Sequence, residues 1–179
     1  MICRLKNRIR SCTGNYAVEV PGVMAIIFLL FFYPLLNLGT MGLRYGLLMT
    51  AAREGANAAS KSYTFEAGSA GKPSALAVAP VAVSNVLSKF RGVSVQSLDV
   101  DIIRTDITTG ATTRFEGKLP TAADSSRYVY EIETDVTGQI QPLNTYSLSM
   151  LGNIPGLTAP AVVRILAREF SEAPDGLNK

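Results

Sequence analysis

Residues 20–43 read VPGVMAIIFLLFFYPLLNLGTMGL, a run of 24 residues without a charged side chain. As an α-helix that rises about 1.5 Å per residue, the run is long enough to cross the roughly 30 Å hydrocarbon core of a bilayer. A buried core helix is the alternative, but polar residues usually interrupt such a helix well before this length. The run therefore predicts one transmembrane helix. Pro34 should kink it, because proline cannot donate the backbone hydrogen bond.

The charges on either side of this run predict its orientation. No acidic residue occurs among the first 18 residues, which contain four bases, Arg4, Lys6, Arg8 and Arg10. Only Arg44 and Arg53 follow soon after the run, and Glu54 offsets the second. The positive-inside rule leaves the N-terminus in the cytoplasm and exports the rest of the chain. A cleaved signal peptide would have a shorter apolar core of about 7–15 residues, so we expect a retained single-pass anchor.

Composition excludes several classes of function. Removing the four N-terminal bases from the 17 basic residues leaves 13 against 14 acidic ones, so no basic surface remains for nucleic acid. Histidine is absent, and both cysteines, Cys3 and Cys12, precede the apolar run. Serine–histidine, cysteine–histidine and zinc–thiolate sites are therefore excluded from the exported part. We expect no enzyme activity and no cofactor or metal.

The remaining patterns predict an α+β exported domain. The first helix should extend over residues 15–62, a loop of small residues should follow at 63–73, and a second helix should cover 74–90. Leu76, Val83, Leu87 and Phe90 should form the buried side of that second helix. The chain thus divides into a basic leader (1–14), the long helix (15–62) and the exported domain (63–179).

Strand signals follow the second helix and predict an antiparallel sheet of about four strands. Apolar residues change phase between Val95 and Leu98, which predicts a β-bulge near Ser97. Residues 108–110 predict a hairpin turn into a strand at 111–116. The clearest alternation, at 128–136, predicts that Tyr128, Tyr130 and Ile132 face the core. Residues 141–158 should be irregular, and 161–170 should form the last strand.

Acidic residues alternate with these apolar positions. They are Asp99 and Asp101 on one strand and Glu131, Glu133 and Asp135 on another. Such carboxylates could bind calcium or act as a catalytic pair. A solvated sheet face, paired with Arg164 and Arg168 on the last strand, is the favoured interpretation.

Small residues recur at helical spacing beyond the apolar run, among them Ala51, Gly55, Ala58 and Ala59. Small faces let helix backbones approach closely, so this one could pack against a helix of another subunit. It could equally pack against the sheet of its own domain, and the sequence leaves both interpretations open.

One constellation precedes the apolar run. Gly14 lies at the edge of the basic arm, and Glu19 follows five residues later, where a carboxylate is costly to desolvate. Cleavage after Gly14 would create a positively charged α-amino group at Asn15. A neighbouring subunit's terminus would then be the better partner for Glu19, because the geometry within one helix is awkward. A glutamate at headgroup level is the simpler alternative.

This layout of basic leader, glycine, four residues, glutamate and apolar helix resembles the class III signal of type IV pilins and pseudopilins. In those proteins a prepilin peptidase cleaves after the glycine. Ala17-Val18-Glu19 together with AREGANAA at 52–59 resembles, more narrowly, TadE-like minor pilins of the tight-adherence (Tad/Flp) system. The departures from that family are Val20, an early Pro21 and a late Pro34.

The resemblance implies a structural subunit for assembly or anchoring of a bacterial adhesion pilus. It implies a single-pass protein of the bacterial inner membrane, with its C-terminal domain on the periplasmic or extracellular side. Its implied partners are other pilins, the Tad membrane assembly platform, the prepilin peptidase and membrane lipid. A minor pseudopilin of a type II-like secretion system is one alternative. An unprocessed signal-anchored periplasmic protein that binds a partner through its sheet is another.

Overall fold

The computed structural model describes residues 13–69, 71–143 and 154–179, and only the backbone of 13–19. Its helices are α1 (Thr13–Ile27), α2 (Tyr33–Ser60) and α3 (Ala75–Leu87), and a π-helical turn (Phe28–Phe32) joins α1 to α2. Its strands are β1 (Val93–Asp106), β2 (Thr112–Phe115), β3 (Tyr128–Ile140) and β4 (Ala161–Phe170). A short 3₁₀ turn, Pro174–Gly176, follows β4. The long first helix, the second helix and the α+β class are confirmed.

The π-helical turn lies directly before Pro34. Tyr33 donates its backbone N–H to the carbonyl of Phe28, five residues earlier. Pro34 has no N–H to continue an i to i−4 ladder, so a change of hydrogen-bond register here is the local adjustment that a proline requires. The sequence predicts a kink at Pro34, and the structure has a π turn on the N-terminal side of that residue.

The four strands form one antiparallel sheet in the order β2-β1-β3-β4. The register of β1 on β3 shifts between Val95 and Ser97, which confirms the predicted bulge. The β1–β2 hairpin is also confirmed. Its turn is held by the Asp106 carboxylate, which accepts backbone N–H bonds from Thr108 (2.9 Å) and Thr109 (3.0 Å). Gly110 supplies the positive φ of 69° that ends the turn.

One face of the sheet packs on α2 and α3 to form the core. Ile132 and Val136 are fully buried there, as the alternation of β3 predicts, and so is Ile102 of β1. Tyr130 is buried beside them, and Tyr128 packs at the edge of the same cluster. The apolar side chains of successive strands therefore share one face, which gives the sheet domain a core together with α2 and α3.

The predicted face of α3 is wrong in half of its members. Val83 and Leu87 are buried, but Leu76 and Phe90 are 40% and 45% exposed. The buried positions are spaced by four residues, Ala75, Ala79, Val83 and Leu87. Small residues occupy the N-terminal half of this stripe because α3 approaches α2 closely there, and a larger side chain would hold the helices apart.

Candidate functional site: the apolar helix and its junction with the sheet domain

The first part of the long helix exposes large apolar side chains. Within residues 20–43 these are Val20, Val23, Met24, Ile26, Ile27, Phe28, Leu29, Leu30, Phe31, Phe32, Leu35, Leu36, Leu38 and Leu43. Their exposed fractions range from 44% to 73%. By length and composition, the helix from Val20 to Ser60 is the one among the described residues that could cross a membrane. A continuous apolar surface of this kind needs lipid or another protein to cover it.

The residues predicted for processing lie at the beginning of this helix. The helical backbone starts at Thr13, two residues before the predicted start, so Gly14 and Asn15 are in its first turn and Glu19 is just over one turn further on. The leader residues 1–12 and the side chains of 13–19 lie outside the described part of the chain. Cleavage after Gly14 and the pairing of Glu19 therefore stay predictions.

The small residues of α2 pack within their own chain. Ala51, Gly55 and Ala59 are buried, whereas Ala58 is half-buried. A Cβ added at Gly55 would lie 2.7 Å from Cγ2 of Val83 on α3 and 3.4 Å from Cγ2 of Thr134 on β3. Of the two interpretations that the sequence left open, the structure places this face against α3 and the sheet of the same domain.

Arg44, the first charged residue after the apolar run, ties α2 to the base of the sheet. Its guanidinium donates to the backbone carbonyl of Gln141, which directly follows β3. It also covers Gly92, where a Cβ would lie 2.5 Å from Cζ of Arg44. Gly92 has a φ of +86°, a backbone conformation that favours glycine. This contact joins the end of the apolar segment to the two strands that begin or end there.

A second contact lies about 10 Å below Arg44 along the helix. The Asn37 amide is fully buried, and its Nδ2 donates to the carbonyl of Leu157 at 3.3 Å. Its Oδ1 is buried without a hydrogen-bond partner. Sequence reasoning used Arg44 only to orient the helix and assigned no role to Asn37, although a single polar residue in an apolar run is a usable signal.

The sheet face opposite the helices holds a network of ion pairs. Arg114 of β2 bonds Asp101 of β1 through Nε at 3.0 Å, and its Nη1 lies 3.2 Å from Oε1 of Glu133. Its Nη2 approaches Asp135 at 3.7 Å. The hydrogen bond to Asp101, with the charges of all three carboxylates, raises the pKa of Arg114 above its usual value. Sequence reasoning assigned no role to Arg114, whereas it named the other two bases of the network, Arg164 and Arg168.

Strand β4 supplies the two predicted bases. Arg164 bonds Asp135 with Nε at 2.9 Å, and this bond is the main reason that the pKa of Asp135 is held below its usual value. Arg168 pairs with Glu133, and these two residues are direct neighbours in the β3–β4 register. The predicted pairing with Arg164 and Arg168 is confirmed for Asp135 and Glu133. The predicted solvation is wrong for three of the acids, since Asp101, Glu133 and Asp135 are all buried. Glu133 is 0% exposed because Arg114 of β2 and Arg168 of β4 both cover its side chain.

A cleft of about 580 Å³ opens along the edge of β1, beside the network. Four of its lining residues, Asp101, Asp135, Arg114 and Arg164, are already committed to ion pairs. In the described part of the chain no group of three or more metal-ligating side chains is arranged to hold an ion. The chemistry of this face is that of a structural network in which each buried acid has an arginine partner.

Comparison of the chain with known protein families, curated proteins and solved structures finds no significant match. The function must therefore be argued from the long helix, its junction and its sheet.

Proposed function

We propose that this protein is a TadE-like pseudopilin, a non-enzymatic subunit that helps to assemble or anchor a bacterial adhesion pilus. The peptide bond after Gly14 is cut by a prepilin peptidase, and the helix from Asn15 onward anchors the mature chain in the inner membrane. The sheet domain lies on the periplasmic side. This proposal rests on the sequence resemblance, and the geometry of the helix supports it.

The observation that carries the proposal is the division of one continuous helix into two environments. Residues 20–43 leave their large apolar side chains uncovered, while the later part of α2 is covered by α3 and the sheet. A pilin-type subunit needs this arrangement, because its first segment must lie in lipid before assembly and against other helices afterwards. The folded domain must meanwhile stay outside the hydrocarbon, as the ion pairs of its outer face require.

Glu19 is the proposed assembly residue. Its position lies about 6 Å of helix rise beyond Asn15, at the edge of the uncharged run. The leader's bases leave with residues 1–14, and Arg44 is at the far end of the apolar segment. The α-amino group of Asn15 on a neighbouring subunit is then the cation best placed to pair with the carboxylate. Such a pair would define the register between adjacent helices.

The terminal mass of the membrane-extracted protein tests the processing step. The wild-type chain should begin at Asn15, and Gly14→Leu should accumulate a precursor heavier by residues 1–14. A normal-sized product from Gly14→Leu would contradict cleavage at this bond. An unprocessed wild-type chain would instead favour the signal-anchored periplasmic binding protein.

Glu19→Gln tests the assembly role separately from processing. It keeps the size of the side chain and removes the charge, so membrane insertion and cleavage should persist because the peptidase depends chiefly on Gly14. Recovery of the other pilins with the protein should fall sharply. Normal piliation and normal recovery of partners would contradict the assembly role and leave Glu19 as an acid at the level of the lipid headgroups. The same partners, identified by mass spectrometry, distinguish a Tad pilus from a type II-like secretion system.

A further inference from the structure

The turn formed by residues 154–159 lies at the level of the apolar helix, on the side of the sheet domain that faces the proposed membrane. Leu157 accepts the hydrogen bond of Asn37, and Gly156 packs on Met41, whose Cε would lie 3.1 Å from an added Cβ. Asn37 and Met41 lie about 26 and 32 Å along the helix from Val20. These positions bracket the outer boundary of a hydrocarbon core of about 30 Å that begins at Val20.

The backbone N–H groups of this turn all donate hydrogen bonds within the turn. Gly156 donates to Ala159 at 2.7 Å, and Leu157, Thr158 and Ala159 all donate to Ile154 within 3.1 Å. Ile154 itself donates to the hydroxyl of Thr158 at 2.7 Å. Residue 155 is a proline, so every N–H from 154 to 159 has a partner. Irregular backbone is excluded from lipid chiefly by unpaired N–H and C=O groups, and this turn presents no unpaired N–H.

The side chains around the turn are also suited to the interface between lipid and water. Ile154 is 40% exposed. Leu143, in the same segment that connects β3 to β4, is 54% exposed. No charged residue occurs between Asp135 and Arg164, a stretch that contains the whole connection from β3 to β4. At the base of the sheet, next to the Arg44 contact, Lys89 and Arg91 are exposed. Apolar residues flanked by bases are typical of a surface that meets phosphate headgroups.

We propose that the turn at residues 154–159 docks into the lipid interface of the leaflet next to the sheet domain. Ile154 reaches the upper acyl chains, and the turn shields the Asn37 amide from hydrocarbon. The domain is then held on the membrane by two contacts, the helix and this turn, which limits its rotation about the helix axis. The inference rests on the proposed membrane crossing of residues 20–43.

Tryptophan fluorescence tests the docking directly, because the chain contains no tryptophan. Three single-tryptophan variants of the full-length protein are placed in vesicles of phosphatidylethanolamine and phosphatidylglycerol. Ile154→Trp reports on the turn, and Leu30→Trp reports on the middle of the apolar helix. Ile107→Trp is the matched control, since Ile107 is an isoleucine exposed by 57% at the opposite end of β1.

Quenching by lipids brominated along their acyl chains is the deciding measurement. Leu30→Trp should be quenched strongly and Ile107→Trp should not be quenched. Ile154→Trp should be quenched roughly half as strongly as Leu30→Trp, and most by bromines near the headgroup, because it lies at the edge of the hydrocarbon.

If Ile154→Trp resists quenching as Ile107→Trp does, while Leu30→Trp is quenched, the docking is overturned and the membrane crossing stands. If Leu30→Trp also resists quenching, the crossing itself is wrong and the docking falls with it. Quenching of Ile154→Trp by aqueous iodide to the same extent as Ile107→Trp would likewise overturn the docking.

Discussion

The two parts of the long helix share one backbone but differ in the size of the side chains that they present. Residues 20–43 carry leucine, isoleucine and phenylalanine, and most of these side chains are exposed. The later part of α2 buries a face made mainly of small residues, namely Ala51, Ala52, Gly55, Ala56, Ala59 and Ser60. The more apolar part is thus the uncovered one, which is the reverse of the usual arrangement in a soluble domain.

This difference shows that the size and the hydropathy of the side chains determine different properties of the helix. Small side chains determine where the chain's own elements approach α2, because only there can α3 and β3 come within contact distance of its backbone. Large apolar side chains determine how much surface remains to be covered from outside, at about 25 cal/mol for each Å² removed from water. The covered part therefore belongs to the domain, and the uncovered part requires lipid or partner helices.

Replacing Gly55 by leucine should break the covered part most severely. The added Cβ would lie 2.7 Å from Cγ2 of Val83, inside a packed region, so we expect the free energy of unfolding to fall by about 3 kcal/mol. Gly46→Leu on the same helix is the control, since a Cβ there meets nothing within 4 Å. The stability of both variants is measured by thermal unfolding of the full-length protein in detergent, with near-ultraviolet circular dichroism as the signal. Equal stability of the two variants would contradict the packing of α2 on α3.

Placing a charge in the uncovered part tests its environment. Leu30→Lys should cost about 3 kcal/mol of insertion free energy if the residue lies in hydrocarbon, because the ammonium must be desolvated or must draw water inward. The loss should appear as a lower fraction of chain resistant to alkaline extraction from membranes. Lysine at Tyr45, beyond the uncharged run and 45% exposed, is the control and should insert normally. If the fraction resistant to extraction is the same for Leu30→Lys as for the wild-type chain, this part of the helix does not lie in hydrocarbon.

Acid should weaken the sheet domain through a smaller effect. Bonding to Arg164 holds the pKa of Asp135 below its usual value of 3.8, so its contribution is complete above about pH 4 and is lost as the pH falls through the lowered pKa. Asp135→Asn should remove this contribution, on the order of 1 kcal/mol at neutral pH, since Arg164 is largely exposed.

Stability measured between neutral pH and pH 2 should then depend less steeply on pH in Asp135→Asn than in the wild-type protein. Ser94→Ala, at an exposed position of β1 outside the network, is the control and should retain the wild-type slope. An identical slope in Asp135→Asn would mean that Asp135 titrates normally in the folded state.

Much of the fold was predictable because local patterns carry it. Alternation in β3, the phase change before Leu98 and the Thr-Thr-Gly turn each depend on a few neighbouring residues, and the structure confirms all three. The buried face of α3 was not predictable, since hydropathy selects Leu76 and Phe90 while the approach to α2 selects Ala75 and Ala79. The burial of Glu133 depends on the register that brings Arg114 and Arg168 over it from two other strands.

By itself, the sequence determined the position of the apolar helix, its predicted orientation, the strands and the absence of histidine chemistry. Composition and short-range periodicity are sufficient for these properties. Only the tertiary structure decided that the small face of α2 packs inward, that Arg44 joins the helix to Gln141, and that Asn37 meets Leu157. These pairs are 97 and 120 positions apart. Contacts at such separations form only when the whole sheet has folded against the helix, because closing so long a loop must be offset by many cooperative contacts.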